Sequence, residues 1–170
     1  MTTYTGKQFW PLDPRPEEVC IEDIAHALSL TCRFGGHCKQ FYSVAQHSCL
    51  VARLVQITDP TMTLAGLLHD AAEAYVGDLI RPIKRTFEQF KSIEDKVMLV
   101  IAERFKFPSA PNAVIKWADD IVLRNEHRDL IPDGMKWVVD DAGGPDVIVQ
   151  PMTPVAAETE FLRMFELWSR

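Results

Sequence analysis

From Leu64 to Tyr75 the chain reads LAGLLHDAAEAY, an apolar stretch broken only by His69, Asp70 and Glu73. A helix that is apolar nearly all round lies centrally in its domain, so these three polar groups are carried into the interior. An unpaired carboxylate there costs several kcal/mol of desolvation, and something must compensate it. At about 100° per residue, His69, Asp70 and Glu73 share a sector with Gly66, which would leave room for a bound ion. Leu64, Leu67, Leu68, Ala71 and Tyr75 take the opposite side as core. Asp59 and Pro60 stand in N-cap and N1 order and Gly77 is a stop, so the pattern predicts one helix between them.

A divalent cation would satisfy the polar sector, and two further segments offer ligands. The preceding helix, VAQHSCLVARLV with Ser43 as N-cap, places Val44, His47, Ser48, Val51 and Val55 on one face, so His47 points inward. Long amphipathic helices are expected at about 86–105 and 111–130. On the second, Asp119 falls beside Ile115, Val122 and Glu126 on the flank of the apolar face, whereas Asp120 shares a sector with Lys116 and His127 and can pair with Arg124. His47, His69, Asp70 and Asp119 are therefore the expected metal ligands. Two imidazoles and two carboxylates suit one Mn, Fe, Co, Ni or Zn ion better than Ca, with Mg feasible if water fills most positions.

The 170 residues, 47% hydrophobic and 25% charged, match one soluble domain and exclude disordered and disulfide-rich classes. The expected fold is an all-α bundle of six or seven helices. An extended N-terminal segment covers 1–20 and the helical core 21–130, with a first helix at about 21–31. A β-hairpin or ordered loop follows at 131–152, its strands near 136–150, and a helix opened by Thr153 and Pro154 occupies 153–170. The net charge of −6 disfavours a nucleic-acid polymer as partner. No apolar run is long enough for a membrane, so a cytoplasmic protein is expected. Cys20, Cys32, Cys38 and Cys49 form no C-x-x-C pair and are read as reduced thiols.

Three tracts carry a resemblance. HDAAEAYVGDLIRPIK is similar to the H-D-x-x-E-x-x-x-G-D-x-x-x-P-x-K tract of the HD-domain metal-dependent phosphohydrolases, in the branch of bacterial 5′-deoxynucleotidases and short viral dATP triphosphohydrolases. CRFGGHCKQFYSVAQHS and WADDIVLRNE resemble the same branch. The resemblance implies that His47, His69, Asp70 and Asp119 bind metal, that Glu73 handles the nucleophilic water, and that Asp78 assists at the scissile phosphate. It makes Arg33 a substrate contact and Lys84 a phosphate-binding lysine. Phe34 and His37, in the same turn as Arg33, complete the substrate-binding set; Glu126 is considered for the pocket and left out of it.

The implied activity is hydrolysis of deoxynucleoside phosphates in a pocket between the metal helices and the Arg33 turn. The compact size, the FWPLDP opening and the CRFGGHC turn lean it to a dATP-type triphosphohydrolase releasing deoxynucleoside and triphosphate. A 5′-deoxynucleotidase acting on dNMPs is the alternative, and a catalytically silent nucleotide-binding sensor is the alternative of another class. A guanosine tetraphosphate hydrolase usually needs a longer chain with additional motifs. The implied partners are a small deoxynucleotide and further copies of the chain, as a dimer or hexamer, in the cytoplasm of a bacterium or of a virus's host.

Overall fold

The computed structural model describes residues 1–132, 136, 137, 139 and 142–169. Eight α-helices run among them: α1 (Ile21–Leu30), α2 (Val44–Thr58), α3 (Thr63–Leu67), α4 (Glu73–Val76), α5 (Arg81–Lys84), α6 (Glu88–Phe105), α7 (Ala113–Leu130) and α8 (Pro154–Trp168). No β-strand longer than an isolated bridge occurs among the described residues. This is the expected all-α bundle. No described helix is long and apolar enough to cross a membrane.

Helix α2 is the hub, packing against α1, α3, α7 and α8. Ser43 opens it by accepting a hydrogen bond from the Gln46 amide, which satisfies one donor that a helix start leaves open. Its inward face, Val44, His47, Ser48, Val51 and Val55, is wholly buried. Asn112 caps α7 by accepting from the Val114 and Ile115 amides, and Thr153 caps α8 through the Ala156 amide with Pro154 behind it. The N-terminal segment, expected to be extended, folds back on itself through a bridge between Thr2 and Gln8 and is pinned to the helices behind it. The Thr5 amide and hydroxyl both donate to Asp23, and the fully buried Phe9 ring stacks on Tyr75 at 3.8 Å.

The helix expected between Asp59 and Gly77 is broken in the middle. A 3₁₀ turn over Pro60–Met62 leads into α3, which stops at Leu67, and α4 begins only at Glu73. The His69 side chain competes for the helix hydrogen bond at the break. Its Nδ1–H donates to the Gly66 carbonyl at 2.8 Å, the oxygen that the Asp70 amide would take in a continuous helix. The backbone then tightens to three-residue spacing: the Ala71 amide donates to Leu68, Glu73 to Asp70 and Ala74 to Ala71. Splitting this helix, together with the short α5, raises the helix number above six or seven. Gly66 does not make room for an ion. A Cβ placed on it would lie 3.0 Å from Val55 Cγ2, so the glycine lets α3 press against α2.

The expected hairpin does not form among the described residues of 136–150; Val138, Asp140 and Asp141 lie outside them. Residues 142–152 are an ordered loop instead, because neighbouring helices take over their backbone groups. Arg124 donates to the Pro145 carbonyl at 2.8 Å and to Asp146 at 3.1 Å. Asn125 accepts from the Val147 amide and Asp129 from the Val149 amide. Gln46 clamps both the Gln150 carbonyl and the Met152 amide. Arg124 is thereby used up by the loop, and the partner expected for it, Asp120, pairs with Lys116 one turn back.

Candidate metal centre

The break between α3 and α4 turns His69 and Asp70 toward the N-terminal half of α2 and the middle of α7. His47, at 0% exposure, presents Nε2 to Asp119 Oδ1 at 3.3 Å and to Asp70 Oδ2 at 3.7 Å. His69 Nε2 lies 3.3 Å from the same Asp70 oxygen, and the two imidazole rings are 5.3 Å apart. One ligand atom each from His47, His69 and Asp119 falls within a 4.8 Å span, a group able to hold a metal ion. Asp70 joins this triad at its edge, because its Oδ2 also faces the Arg33 guanidinium at 3.7 Å.

The chemistry of the donors fits a cation. Glu126 Oε1 sits 2.7 Å from His47 Nδ1, and the Gly66 carbonyl takes His69 Nδ1. A carbonyl or an ionised carboxylate can only accept, so both protons of the neutral rings are drawn to Nδ1 and the lone pairs are left on Nε2. Those two Nε2 atoms are buried without a hydrogen-bond partner among the described residues, yet face carboxylate oxygens. Lone pairs opposite carboxylates repel unless a metal ion or a proton stands between them.

Absent a metal ion, a proton fills that role at His47. Burial and the Arg33 guanidinium pull the His47 imidazole down, but Glu126 and Asp119 outweigh them and hold it up to about 9. Burial likewise opposes ionisation of Asp70, Asp119 and Glu126. The His69, His47 and Arg33 charges overcome it at Asp70, and the two imidazoles do so at Asp119, keeping both carboxyls well below the usual range. Arg33 and His47 hold Glu126 down to about 2. Burial, reinforced by the Asp70 and Asp78 charges, pushes Glu73 up to about 9. Glu73 Oε2 is a further buried atom without a hydrogen-bond partner among the described residues. Asp78 follows Gly77, whose positive φ of 84° ends α4, and burial raises its carboxyl too.

Of the substrate-binding set, Arg33 is brought in and His37 is not. Phe34 and Gly35 both take left-handed backbone angles, φ 58° and 59°, and Arg33 is buried to 8% exposure just before them. Its Nη2 donates to Glu126 Oε2 at 3.1 Å, and its guanidinium lies over the Phe34 ring at 5.4 Å. His37 is exposed on the turn. Lys84 reaches the centre's edge already paired, with Nζ 2.5 Å from Glu94 and 3.5 Å from Glu73.

Glu126 is the residue that sequence reasoning passed over, although it recurs on the Asp119 face of α7 and is fully buried. A buried acid seven residues after a proposed ligand was the available signal. Arg81 caps Asp119 Oδ2 at 2.9 Å from α5. A cleft of about 370 Å³ reaches His69 and Asp119 from the start of α7, lined by Pro111, Asn112, Ala113, Ile115 and Lys116, and not from the Arg33 turn.

The model of the HD domain family matches residues 43–135. The chain is 37% identical over 166 residues to YfdR, an uncharacterized protein of Escherichia coli, a match covering 96% of this chain and 92% of that one. It is also 37% identical over 121 residues to an uncharacterized protein of Rhodobacter capsulatus, covering 67% of this chain and 62% of the relative. His47, His69, Asp70 and Asp119, the four residues that meet at this centre, all fall within the matched span, and the chain belongs to the HD-domain family.

Proposed function

We propose that the protein is a metal-dependent hydrolase of deoxynucleoside phosphates, acting on dATP-type triphosphates to give deoxynucleoside and triphosphate. The observation that carries this reading is the convergence with Asp119, inside 4.8 Å, of two imidazoles whose Nε2 atoms have no hydrogen-bond partner among the described residues. When bound there by His47, His69, Asp70 and Asp119, a divalent ion would polarise a phosphoryl oxygen, acidify a water and offset the Asp70 charge that adds to burial in raising Glu73. Glu73 takes the water's proton at Oε2, a buried atom without a hydrogen-bond partner among the described residues. Arg33 binds phosphate from the Glu126 side, and Lys84 does so from the Glu73 side. Asp78 stands at the leaving 5′ oxygen, where its raised carboxyl orients or protonates the departing group. Lys116 on the cleft wall pairs with Asp120 and Arg81 pairs with Asp119, and a polyphosphate that displaced those carboxylates would meet two cations where a single phosphate would meet one.

Incubation with Co²⁺ or Mn²⁺ and a panel of dNTPs and dNMPs tests this. Deoxynucleoside and triphosphate released from dATP is the expected result. Phosphate from dNMPs alone would make the protein a 5′-deoxynucleotidase, and tight nucleotide binding without turnover of any substrate would make it a sensor. Self-association as a dimer or hexamer in the cytoplasm belongs to the same reading, and light scattering on the purified chain measures it.

A further inference from the structure

Glu126 does two things at once, with one oxygen for each. Oε1 accepts from His47 Nδ1 at 2.7 Å and Oε2 accepts from Arg33 Nη2 at 3.1 Å, and the side chain has no exposed surface. These donors belong to different parts of the fold. His47 comes from α2 and aims its other nitrogen at Asp119 and Asp70; Arg33 comes from the turn before α2 and also faces Asp70. We infer that Glu126 is the positioning residue that joins the metal ligand His47 to the phosphate-binding Arg33, so that metal affinity and anion affinity rest on one buried carboxylate.

The chemistry of the side chain makes this specific. An ionised carboxylate can accept from both an imidazole N–H and a guanidinium N–H. A glutamine at the same place has one acceptor oxygen and an NH₂ that must face one of the two donors. With the carboxylate in place, the proton of the metal-binding form of His47 is kept on Nδ1 and Nε2 stays available, as outer-shell acceptors do for metal-bound histidines. The same carboxylate fixes the guanidinium through an ionic hydrogen bond in a water-excluded setting. Asp70 closes the circuit, since its Oδ2 is shared among His69, His47 and Arg33. Glu126 itself touches neither the cleft nor solvent, so its effect on chemistry passes through those two side chains.

This inference rests on the metal-binding reading of His47, and its test reads binding instead of hydrolysis. The whole chain is titrated with Co²⁺ by calorimetry and by its visible absorption, and the Co²⁺-loaded chain is then titrated with inorganic phosphate. Glu126→Gln is expected to lower Co²⁺ affinity by about 10- to 100-fold and to weaken phosphate binding with it, with unfolding still cooperative. Glu126→Asp, which keeps both acceptors on a shorter arm, is expected to fall between Glu126→Gln and the wild type. Arg33→Lys should weaken phosphate while leaving the Co²⁺ spectrum close to wild type. Wild-type Co²⁺ and phosphate affinities in Glu126→Gln would overturn the inference and leave the metal centre standing. Loss of only one of the two affinities, or loss of cooperative unfolding in both variants, would also overturn it, the last by making Glu126 a residue of the fold alone. A wild-type chain that binds no Co²⁺ would instead remove the metal reading on which it depends.

Discussion

Helix α2 carries charge chemistry at both ends, and the two ends are built differently. Toward its C-terminus Arg53 meets Glu160 of α8 at 2.6 Å, and Arg163 takes both oxygens of the same carboxylate at 2.8 and 2.9 Å. Two guanidiniums share one carboxylate there, so the anion is fully paired, and the cluster's work is to tie α2 to α8. Toward its N-terminus His47 sits among Asp70, Asp119 and Glu126, with Glu73 close by and Arg33 as the buried cation. That end reaches balance only when protons or a metal ion are added. An anion fully paired with cations serves the fold; carboxylates crowded around buried imidazoles, with too little positive charge among them, are what a cation site requires.

The largest expected effect comes from deepening this contrast at the ligands. His69→Gln removes one of the two open nitrogens and should cut Co²⁺ affinity by at least about 100-fold, with hydrolysis of any accepted nucleotide lost. Calorimetry and a phosphate-release assay measure both, and near-wild-type affinity would take His69 out of the site. Next comes the packing that seats α3 on α2. Gly66→Ala places a methyl 3.0 Å from Val55 and should cost about 1–3 kcal/mol. Thermal unfolding reads it as a drop of roughly 2–4 °C per kcal/mol in a chain of this size. Its metal affinity should change far less than that of His69→Gln; a larger change would show that Gly66 serves the ion after all.

How far this was legible beforehand follows the same division. Ser43 and the Thr153-Pro154 pair marked their helix starts because capping is local chemistry that the sequence carries in neighbouring positions. His47, His69, Asp70 and Asp119 stood out because polar groups on apolar faces break a helical period. The break at Leu68 did not show, since it depends on a side chain competing with a backbone amide for one carbonyl. Periodicity assumes that competition away. Gly66 looked like space for an ion only while the helix was taken as continuous. Helical spacing puts Glu126 on the Asp119 face but does not bring it to His47 and Arg33; those contacts, the pairing of Arg81 with Asp119, and the capture of Arg124 by the 142–152 loop are long-range, and on them spacing is silent. The β-branched runs around Gly143 and Gly144 suggested strands, but Asn125, Asp129 and Gln46 offered their backbone groups other partners.

The two ends should also respond to pH with opposite sign. His47 is raised from an ordinary 6.5 to about 9, so its contribution to metal-free stability is complete below about 6.5 and is lost as pH rises through 9. Glu73, raised from 4.5 to about 9, adds a loss of the same direction. Metal-free protein should therefore melt progressively lower from neutral pH to 9, while Co²⁺ affinity rises over the same window because the ion displaces the His47 proton. A flat melting profile would contradict the crowding at the centre. Glu160, lowered to about 2 by the Arg163 hydrogen bonds and by Arg53, contributes stability above about 4.5 that is lost as pH falls toward 2. Glu160→Gln is the smallest effect expected, about 0–1 kcal/mol at neutral pH, with the acid limb of the melting profile flattened and Co²⁺ affinity untouched.

The most direct measurement is metal content joined to location: elemental analysis of protein grown and purified with Co²⁺ present, and an anomalous difference map from its crystals. One ion per chain, lying between His47 Nε2, His69 Nε2 and the Asp70 and Asp119 carboxylates, is the predicted result. A metal-replete chain with no ion there, or with its ion bound elsewhere, would contradict the centre on which the proposed hydrolysis depends.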